Sequence, residues 1–438
     1  MYPPRSKKKR QKKDAGGRRR KVAWGWINAV LILLITAMLA YYFIEQKGSG
    51  TAPPSTAENV ETPAPDDNPA ATPDTTGELS PAEPDASPSA DPQGTTNELP
   101  EQSDSPGMID DNSGTEQPDE TPSGNTVKLS FGGDVIFAGK VGELLEKQGY
   151  DYPYAQLDGL FTRDDLSVIN LETSVTERGT SADKQFVFKS SPEALDSMKA
   201  AGMDAVNLAN NHTLDQGVQG LRDTLEHLDD RGISHVGAGL NEASAYAPQY
   251  FERKGITIAL LGFTRVVPEA SWRAGKNSPG LAAVYDSEAG LKAIAEARTK
   301  ADIVVVIVHW GIERAHEPND IQQSLGRSFI DAGADLVIGG HPHVLQGIEP
   351  YKGKWIAYST GNFIFTKSKA PDTWDTAVFQ AECNAEGQCS LELKPLHAEL
   401  GQPVPMKPED GQKLLDKVES LSGGRISIGS NGKVSGLR

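Results

Sequence analysis

Short apolar runs alternate with amphipathic segments over residues 126–400, and this alternation predicts strands separated by helices. The apolar runs have the length of buried strands, and strands are predicted at 127–131, 166–171, 204–208, 256–263, 303–308, 336–338 and 355–359. Segments with helical periodicity, several of them followed by glycine, predict helices at 192–201, 217–231, 287–300 and 319–332. This order is typical of βαβ units, so we expect an α/β domain with a largely parallel sheet.

The N-terminal segment has the composition of a membrane anchor. Residues 1–21 are strongly basic, and residues 22–44 are uncharged and mostly apolar. As a helix the second stretch would be ~35 Å long, which is enough to cross a bilayer. A cleaved signal peptide is disfavoured, because the run is longer than an h-region and no A-x-A-like site follows it. The positive charge predicts a cytoplasmic N-terminus, a single transmembrane signal-anchor helix and an extracellular main domain.

The segment between the anchor and the domain, residues 45–125, is acidic and rich in Pro and Thr. Residues 48–125 contain seventeen Asp and Glu residues and no Lys or Arg, so we expect a disordered linker. The chain's net charge of −17 leaves about −10 on the part after the linker. An acidic domain argues against nucleic acid as a partner and against flat docking on anionic lipid. Binding of nucleic acid by the basic block is the weaker alternative, because the apolar span follows it directly.

The chain's two cysteines, Cys383 and Cys389, flank a short loop between two strand-like runs, 376–382 and 390–395. Export to an oxidising compartment favours a disulfide that closes this hairpin, and two free thiols are the alternative. Because the bridge would close a short loop, we expect its effect to be local.

Histidines and acids follow several of the predicted strands. In an open α/β sheet, functional groups gather at the carboxyl ends of the strands. Carboxylate, amide and imidazole ligands suit Mn, Fe or Zn rather than Ca, and one or two divalent ions could be held. The candidate ligands are Asp134, Glu172, Asn211, His309, His341 and His343.

A second group of residues is suited to proton transfer or to supporting these ligands. Asp215 is spaced to orient the imidazole of His212, which would then donate a proton or a hydrogen bond to substrate. Asn170, Glu313 and Asn362 are candidates for supporting a ligand or contacting substrate, with a turn or surface role as the alternative for the last two.

The quoted motifs resemble a known family. Asn207-Leu-Ala-Asn-Asn-His-Thr-Leu-Asp215 and Gly340-His-Pro-His343, in this order, are similar to the CapA-type capsule, or poly-γ-glutamate, biosynthesis family, which is similar to calcineurin-like metallophosphatases. The resemblance implies a metallophosphatase-like layered α-β-β-α sandwich. By that likeness one ion would be held by Asn211, His309 and His341, the other by Asp134 and His343, with Glu172 as the bridge. The general phosphatase pattern has Asp-x-His on the first strand, whereas Val135 and Ile136 follow Asp134 here.

The resemblance implies a membrane-anchored, extracytoplasmic protein of capsule or poly-γ-glutamate biosynthesis or export. Its expected partners are membrane-embedded polymer synthase subunits, and its expected substrate is an anionic polymer or a phosphoester. The alternatives are a non-catalytic scaffold and a cell-envelope phosphodiesterase. Polymer binding by an acidic domain would need the metal or a local basic patch such as Lys184, Lys189 and Arg265. The main domain is expected at 126–400, followed by a C-terminal extension at 401–438.

Overall fold

The computed structural model of the protein describes residues 122–437. The basic block, the predicted membrane span and all but the last residues of the predicted linker lie outside this range, so those predictions stay predictions. No helix within residues 122–437 is both long enough and apolar enough to span a bilayer.

Strands are numbered β1–β20 and helices α1–α7 along the described part of the chain. The larger sheet has ten strands: β1 (Thr126–Val135), β2 (Leu166–Leu171), β5 (Ala205–Asn207), β6 (Ser234–Val236), β15 (Asn362–Ile364), β16 (Asp375–Asn384), β17 (Cys389–Glu399), β18 (Gln402–Pro405), β19 (Ile426–Ile428) and β20 (Lys433–Gly436). The smaller sheet has six strands: β8 (Gln249–Arg253), β9 (Ile256–Thr264), β11 (Ile303–His309), β12 (Leu336–Gly340), β13 (Ile348–Tyr351) and β14 (Lys354–Ala357). Two short pairs are β3 (Ser174–Val175) with β4 (Lys189–Ser190), and β7 (Ala238–Gly239) with β10 (Gly280–Leu281).

The helices connect and cover these strands. They are α1 (Gly139–Gln148), α2 (Glu193–Ala200), α3 (Gly217–Asp230), α4 (Glu242–Ala245), α5 (Glu288–Arg298), α6 (Asp320–Asp331) and α7 (Pro408–Leu421). The alternation of strands and helices confirms the predicted α/β class.

Parallel pairing holds for only part of each sheet. In the larger sheet β1, β2, β5 and β6 are parallel neighbours, but β16, β17, β18, β19 and β20 are joined by antiparallel pairs. In the smaller sheet β9, β11, β12 and β14 are parallel, with antiparallel strands at both edges. The expectation of a largely parallel sheet is therefore wrong for the C-terminal half of the larger sheet, where short connections join β16 to β17, β17 to β18 and β19 to β20 as antiparallel hairpins.

Three apolar clusters define the layers. Successive residues of β2 point to opposite faces, so Val168 packs between the two sheets while Ile169 packs against α1, α2 and α3. In β11, Val305 packs between the sheets, and Val304 and Val306 pack against α5 and α6. Two sheets thus share one apolar interface, and helices cover their outer faces. The central strands are buried on both faces, which explains why their sequences are continuously apolar rather than alternating.

Local signals account for individual elements. Helix α6 begins at a capping box in which the side chain of Asn319 accepts from the backbone N–H of Gln322, and the side chain of Gln322 accepts from the backbone N–H of Asn319. The two reciprocal bonds satisfy N–H groups that the helix leaves without partners.

The predicted hairpin and disulfide are confirmed. Cys383 and Cys389 face each other across β16 and β17 and form a disulfide. The residues of the predicted C-terminal extension lie against the larger sheet, because β18 pairs with β17 and β20 joins β17 to β19. Leu414 and Val418 of α7 pack into the core between the sheets.

Candidate metal centre

The six candidate ligands meet where strands of both sheets end. Asp134 is the second-to-last residue of β1, Glu172 follows β2, Asn211 follows β5, His309 ends β11, and His341 and His343 follow β12. Asp134, Glu172 and His309 are fully buried, and His341 is almost fully buried. Because the two sheets face each other with these strands pointing the same way, residues far apart in the sequence converge at one edge.

The side chains form two overlapping groups. Ligand atoms of Glu172, His309 and His341 lie within 4.8 Å of one another, as do those of Asp134, Glu172 and His343. Glu172 belongs to both groups, with Oε1 at 3.7 Å from His309 Nε2 and 3.9 Å from His343 Nε2. Asn211 adjoins the first group, since its Oδ1 lies 2.7 Å from His309 Nε2. With Asn211, the two groups contain the residues of the two ligand sets that the resemblance implied.

Glu172 has the environment of a metal ligand. Both of its carboxylate oxygens are buried without a hydrogen-bond partner among the described residues. Burial, and after it the neighbouring Asp134 carboxylate, raises the pKa of Glu172 well above its usual value. A buried carboxylate without hydrogen bonds is costly, and a divalent cation would compensate it directly. The residues present therefore fit a divalent cation.

The pKa values of the three candidate histidine ligands shift in different directions. Burial, followed by the charges of neighbouring histidines, lowers the pKa of His309 well below its usual value. Burial and the neighbouring His343 lower the pKa of His341 to about 3. For His343, burial acts in the same direction, but Glu172 and Asp134 outweigh it and raise the pKa to about 9. The lowered pKa values of His309 and His341 favour the neutral form, in which imidazole binds metal, whereas His343 would have to lose a proton before it could bind a cation.

Backbone strain is concentrated at the same place. His341 has a φ of 96° and His343 a φ of 57°, values that residues other than glycine rarely adopt. Gly340 is needed here because a Cβ on it would lie 2.8 Å from Asp134 Oδ1. The backbone N–H of His341 donates to Asp134 Oδ2 at 3.2 Å. Such strain persists where the surroundings hold it in place, and it is common at functional sites.

The predicted supporting residues fall into two classes. Asn170 Nδ2 lies 2.7 Å from Asp134 Oδ1 and 3.2 Å from His309 Nδ1, so it orients one residue of each group. Asn362 Oδ1 lies 3.0 Å from His343 Nδ1. Glu313 is exposed, and within residues 122–437 its side chain forms no hydrogen bond or ion pair, although its charge raises the pKa values of Glu172 and His343.

His212 and Asp215 are paired as predicted. His212 Nδ1 lies 2.7 Å from Asp215 Oδ2, which leaves Nε2 towards the centre, 3.8 Å from Glu172 Oε1. The ring of Phe188 stacks on that of His212, with 4.3 Å between their centroids. The backbone N–H of Phe188 donates to Asp215 Oδ2. Burial lowers the pKa of His212, and Asp215 opposes that effect. The dyad can hold a proton at Nε2, the atom that faces the centre.

Two neighbours of this dyad were missed or misjudged from the sequence. Lys184 Nζ lies 2.6 Å from Asp215 Oδ1, whereas the sequence suggested it only as part of a basic patch. Phe188 was not singled out. Both lie in segment 176–190, which has little regular structure and no periodicity that would reveal its contacts.

The first strand departs from the general phosphatase pattern in a definite way. Ile136 stands where that pattern has histidine, and its side chain is buried in the apolar cluster beside the helices. A core position therefore replaces one ligand position.

Comparison with known proteins identifies the family. Residues 128–367 match the family described as "Bacterial capsule synthesis protein PGA_cap". The chain belongs to this family. The resemblance inferred from the motifs is thereby confirmed, and the matched range contains all six candidate ligands.

Relatives within the capsule synthesis family have related names. The PGA biosynthesis protein CapA of Bacillus subtilis is 36% identical over 293 residues, covering 66% of this chain and 76% of the relative. The capsule biosynthesis protein CapA of Bacillus anthracis is 33% identical over 286 residues, covering 64% and 69%. A probable polyglutamine synthesis accessory protein of Mycobacterium tuberculosis is 35% identical over 217 residues, covering 46% and 56%.

The solved structures that match the chain are more distant in sequence. A 5'-nucleotidase from Candida albicans has a TM-score of 0.35 and 13% identity, covering 70% of this chain and 60% of that one. The sulfate thiohydrolase SoxB of Thermus thermophilus has a TM-score of 0.32 and 13% identity, covering 65% and 50%. These scores are too low to support a function.

Proposed function

We propose that this member of the capsule synthesis family is a membrane-anchored, extracytoplasmic protein of poly-γ-glutamate or related capsule polymer biosynthesis or export, and that it works through a metallophosphatase-like metal site. The observation that carries the metal site is Glu172, whose two buried oxygens have no hydrogen-bond partner among the described residues and face three histidines. The family and its relatives support the polymer role. The apolar run at 22–44 supports the anchor.

The residues of the site would divide the work as follows. Glu172, His309 and His341, with Asn211 beside them, would hold one divalent ion, and Asp134 and His343 would hold a second with Glu172 shared. Mn, Fe and Zn are the metals that this donor set suits. A bound ion supplies polarisation of a phosphoryl or carbonyl oxygen.

His212 would donate a proton to the substrate from Nε2. Asp215 forms a hydrogen bond with Nδ1 of His212, and the ring of Phe188 stacks on its imidazole. These two contacts fix the orientation of the imidazole. Nε2 is then positioned to donate a proton to a leaving group, or to hydrogen-bond a substrate oxygen, at the same edge as Glu172.

Metal content tests the site. Full-length protein would be purified in detergent, and elemental analysis would compare wild type with His341→Ala and with His397→Ala, a histidine on β17 outside the two groups. We expect one or two ions per chain in wild type and in His397→Ala, and a loss of at least one ion in His341→Ala. Folded wild-type protein without bound metal would disprove the site.

Polymer formation tests the role. The same variants would be expressed in a capsule-forming Bacillus that lacks its own CapA relative, and the polymer would be quantified. We expect His397→Ala to restore the polymer and His341→Ala or Glu172→Ala to fail at equal abundance. Restoration by Glu172→Ala would show that the site is irrelevant to this role.

A non-catalytic scaffold for polymer synthase subunits is the second candidate, and the buried Ile136 favours it, because that residue fills a position where the phosphatase pattern has a ligand. Deleting residues 1–44 separates the two. An enzyme would retain turnover of an aryl phosphodiester in solution, whereas a scaffold would show no turnover and would lose polymer formation on release from the membrane.

A further inference from the structure

Two arginines share one tyrosine ring in the segment that follows β9. The guanidinium carbon of Arg265 lies 4.0 Å from the centroid of the Tyr285 ring, and that of Arg273 lies 4.3 Å from it. The hydroxyl of Tyr285 accepts a hydrogen bond from the backbone N–H of Val267 at 3.2 Å. Cation–π contacts of this kind hold a guanidinium in place without using its N–H donors.

Neither guanidinium has an acidic partner. Within residues 122–437, the side chains of Arg265 and Arg273 form no hydrogen bond and no ion pair, and each lies over the ring of Tyr285. Several other arginines of the domain are paired with acids, as Arg178 is with Asp223 and Arg327 is with Glu349. Two adjacent guanidinium groups in an acidic domain therefore retain their donors for a ligand.

The pair adjoins the site on two sides. The backbone N–H of Arg265 donates to the carbonyl of His309 at 2.8 Å, because Arg265 follows β9 where β11 ends. On the other side, Trp272 precedes Arg273, and Lys184 Nζ lies over the Trp272 ring at 5.2 Å from its centroid. Lys184 in turn contacts Asp215 of the proton-transfer dyad. Arg265 is therefore joined to a candidate ligand residue through its main chain, and the neighbour of Arg273 is joined to the dyad through Lys184.

A cavity of about 280 Å³ opens beside Arg265. Tyr285 and the hydroxyl-bearing Ser287 and Ser324 line it, together with one acid, Asp320. Arg265 supplies the positive charge of this cavity, Asp320 supplies a negative charge, and the hydroxyls add donors. This composition favours an anionic group at the arginine side.

We propose that Arg265 and Arg273, held on the ring of Tyr285, form a subsite for carboxylates of a γ-linked glutamate chain next to the candidate metal centre. Guanidinium groups present paired N–H donors that match the two oxygens of a carboxylate. The identity of the polymer rests on the proposed function. The subsite itself rests on the unpaired arginines and their place beside His309.

Polymer binding tests the subsite. A fluorescently labelled γ-glutamate oligomer would be titrated with full-length protein in detergent, and anisotropy would give Kd for wild type, Arg265→Gln, Arg273→Gln and the double variant. Arg222→Gln, an exposed arginine on α3, is the charge-matched control. We expect Kd to weaken about tenfold for each guanidinium removed and to stay unchanged in the control. Tyr285→Phe should bind like wild type, and Tyr285→Leu should bind more weakly.

Several results would overturn the subsite. One is a Kd of the double variant within twofold of the wild-type Kd. Another is a Kd of the Arg222→Gln control that weakens as much as those of the single variants. A third is displacement of the oligomer by inorganic polyphosphate at a tenth of the oligomer's concentration. Metal content is measured on every variant, because an unchanged value shows that the fold and the centre are intact.

The two proposals fail in different ways. If wild type binds no oligomer while His341→Ala still abolishes polymer in cells, the subsite is wrong and the proposed function stands. If the oligomer binds through both arginines but His341→Ala and Glu172→Ala leave polymer formation intact, the subsite stands and the metal-dependent role fails.

Discussion

His309 Nε2 and Glu172 Oε1 lie 3.7 Å apart, although one residue ends a strand of the smaller sheet and the other follows a strand of the larger sheet. Both side chains are fully buried. The contact joins the carboxyl edges of the two sheets at one point. Neither oxygen of Glu172 has a hydrogen-bond partner among the described residues. Burying this carboxylate therefore costs free energy unless a cation compensates its charge.

The first prediction concerns that cost. In the presence of a chelator, Glu172→Gln should be more stable than wild type, by about 1–3 kcal/mol, because it removes a buried carboxylate that has no compensating hydrogen bond. With excess Mn²⁺ the order should reverse, because only wild type binds the ion and gains stability from it. Thermal unfolding in both conditions measures the difference. Equal stability of the two proteins in chelator would contradict the interpretation of Glu172.

The second prediction concerns the glycine beside the centre. Gly340→Ala should lower metal content, because the added Cβ would lie 2.8 Å from Asp134 Oδ1 and displace that carboxylate. Gly411 on α7 offers a matched control, since a Cβ there would have ordinary contacts of 3.5 Å or more. Gly411→Ala should leave metal content unchanged and raise the free energy of unfolding by about 0.5–1 kcal/mol through helix propensity. Normal metal content in Gly340→Ala would show that Asp134 has room to move.

The third prediction concerns the disulfide. Replacing both Cys383 and Cys389 by alanine should lower the free energy of unfolding by about 2 kcal/mol, the loop-closure value for a short loop. Metal content should not change, because Cys383 faces Val127 at the start of β1 whereas Asp134 lies near its other end. Denaturant unfolding and elemental analysis measure the two effects. Loss of metal in the double variant would show that the hairpin influences the centre.

The fourth prediction concerns pH. Burial and the nearby Asp204 raise the pKa of Asp164 from 3.8 to about 6, against the hydrogen bonds that Ser130 and Ser167 donate. The folded protein therefore holds this proton more tightly than the unfolded chain, and its contribution to stability falls as pH rises from about 4 through 6. Asp164→Asn should remove that dependence and raise stability at pH 8 by about 1 kcal/mol, allowing for solvent screening at a partly exposed group.

Unfolding curves of wild type and Asp164→Asn at pH 4 and pH 8 check this sign. Asp158→Asn, an exposed acid in the same region, is the control and should behave like wild type. A variant that is more stable than wild type by the same amount at both pH values would rule out a titration effect.

Much of the site could be predicted because its residues share a local signal. Each of Asp134, Glu172, His309 and His341 is in or directly after an apolar run, and parallel strands bring their carboxyl ends to one edge. The same rule applied to β9 would have singled out Arg265, which follows that strand. Lys184 and Phe188 carry no such signal, because their segment is irregular and only its packing on His212 and Asp215 gives them a role.

By itself, the sequence of this protein determined the local elements and the chemistry they carry. Apolar runs specify buried strands, Asn319 and Gln322 specify the start of α6, and the cysteine spacing specifies a closed hairpin, since each depends on residues close together in the chain. Only the tertiary structure decided that the C-terminal strands are antiparallel and that Lys184 and Phe188 contact the His212–Asp215 pair. Those features depend on contacts between residues tens to hundreds of positions apart, and local patterns carry no information about such contacts.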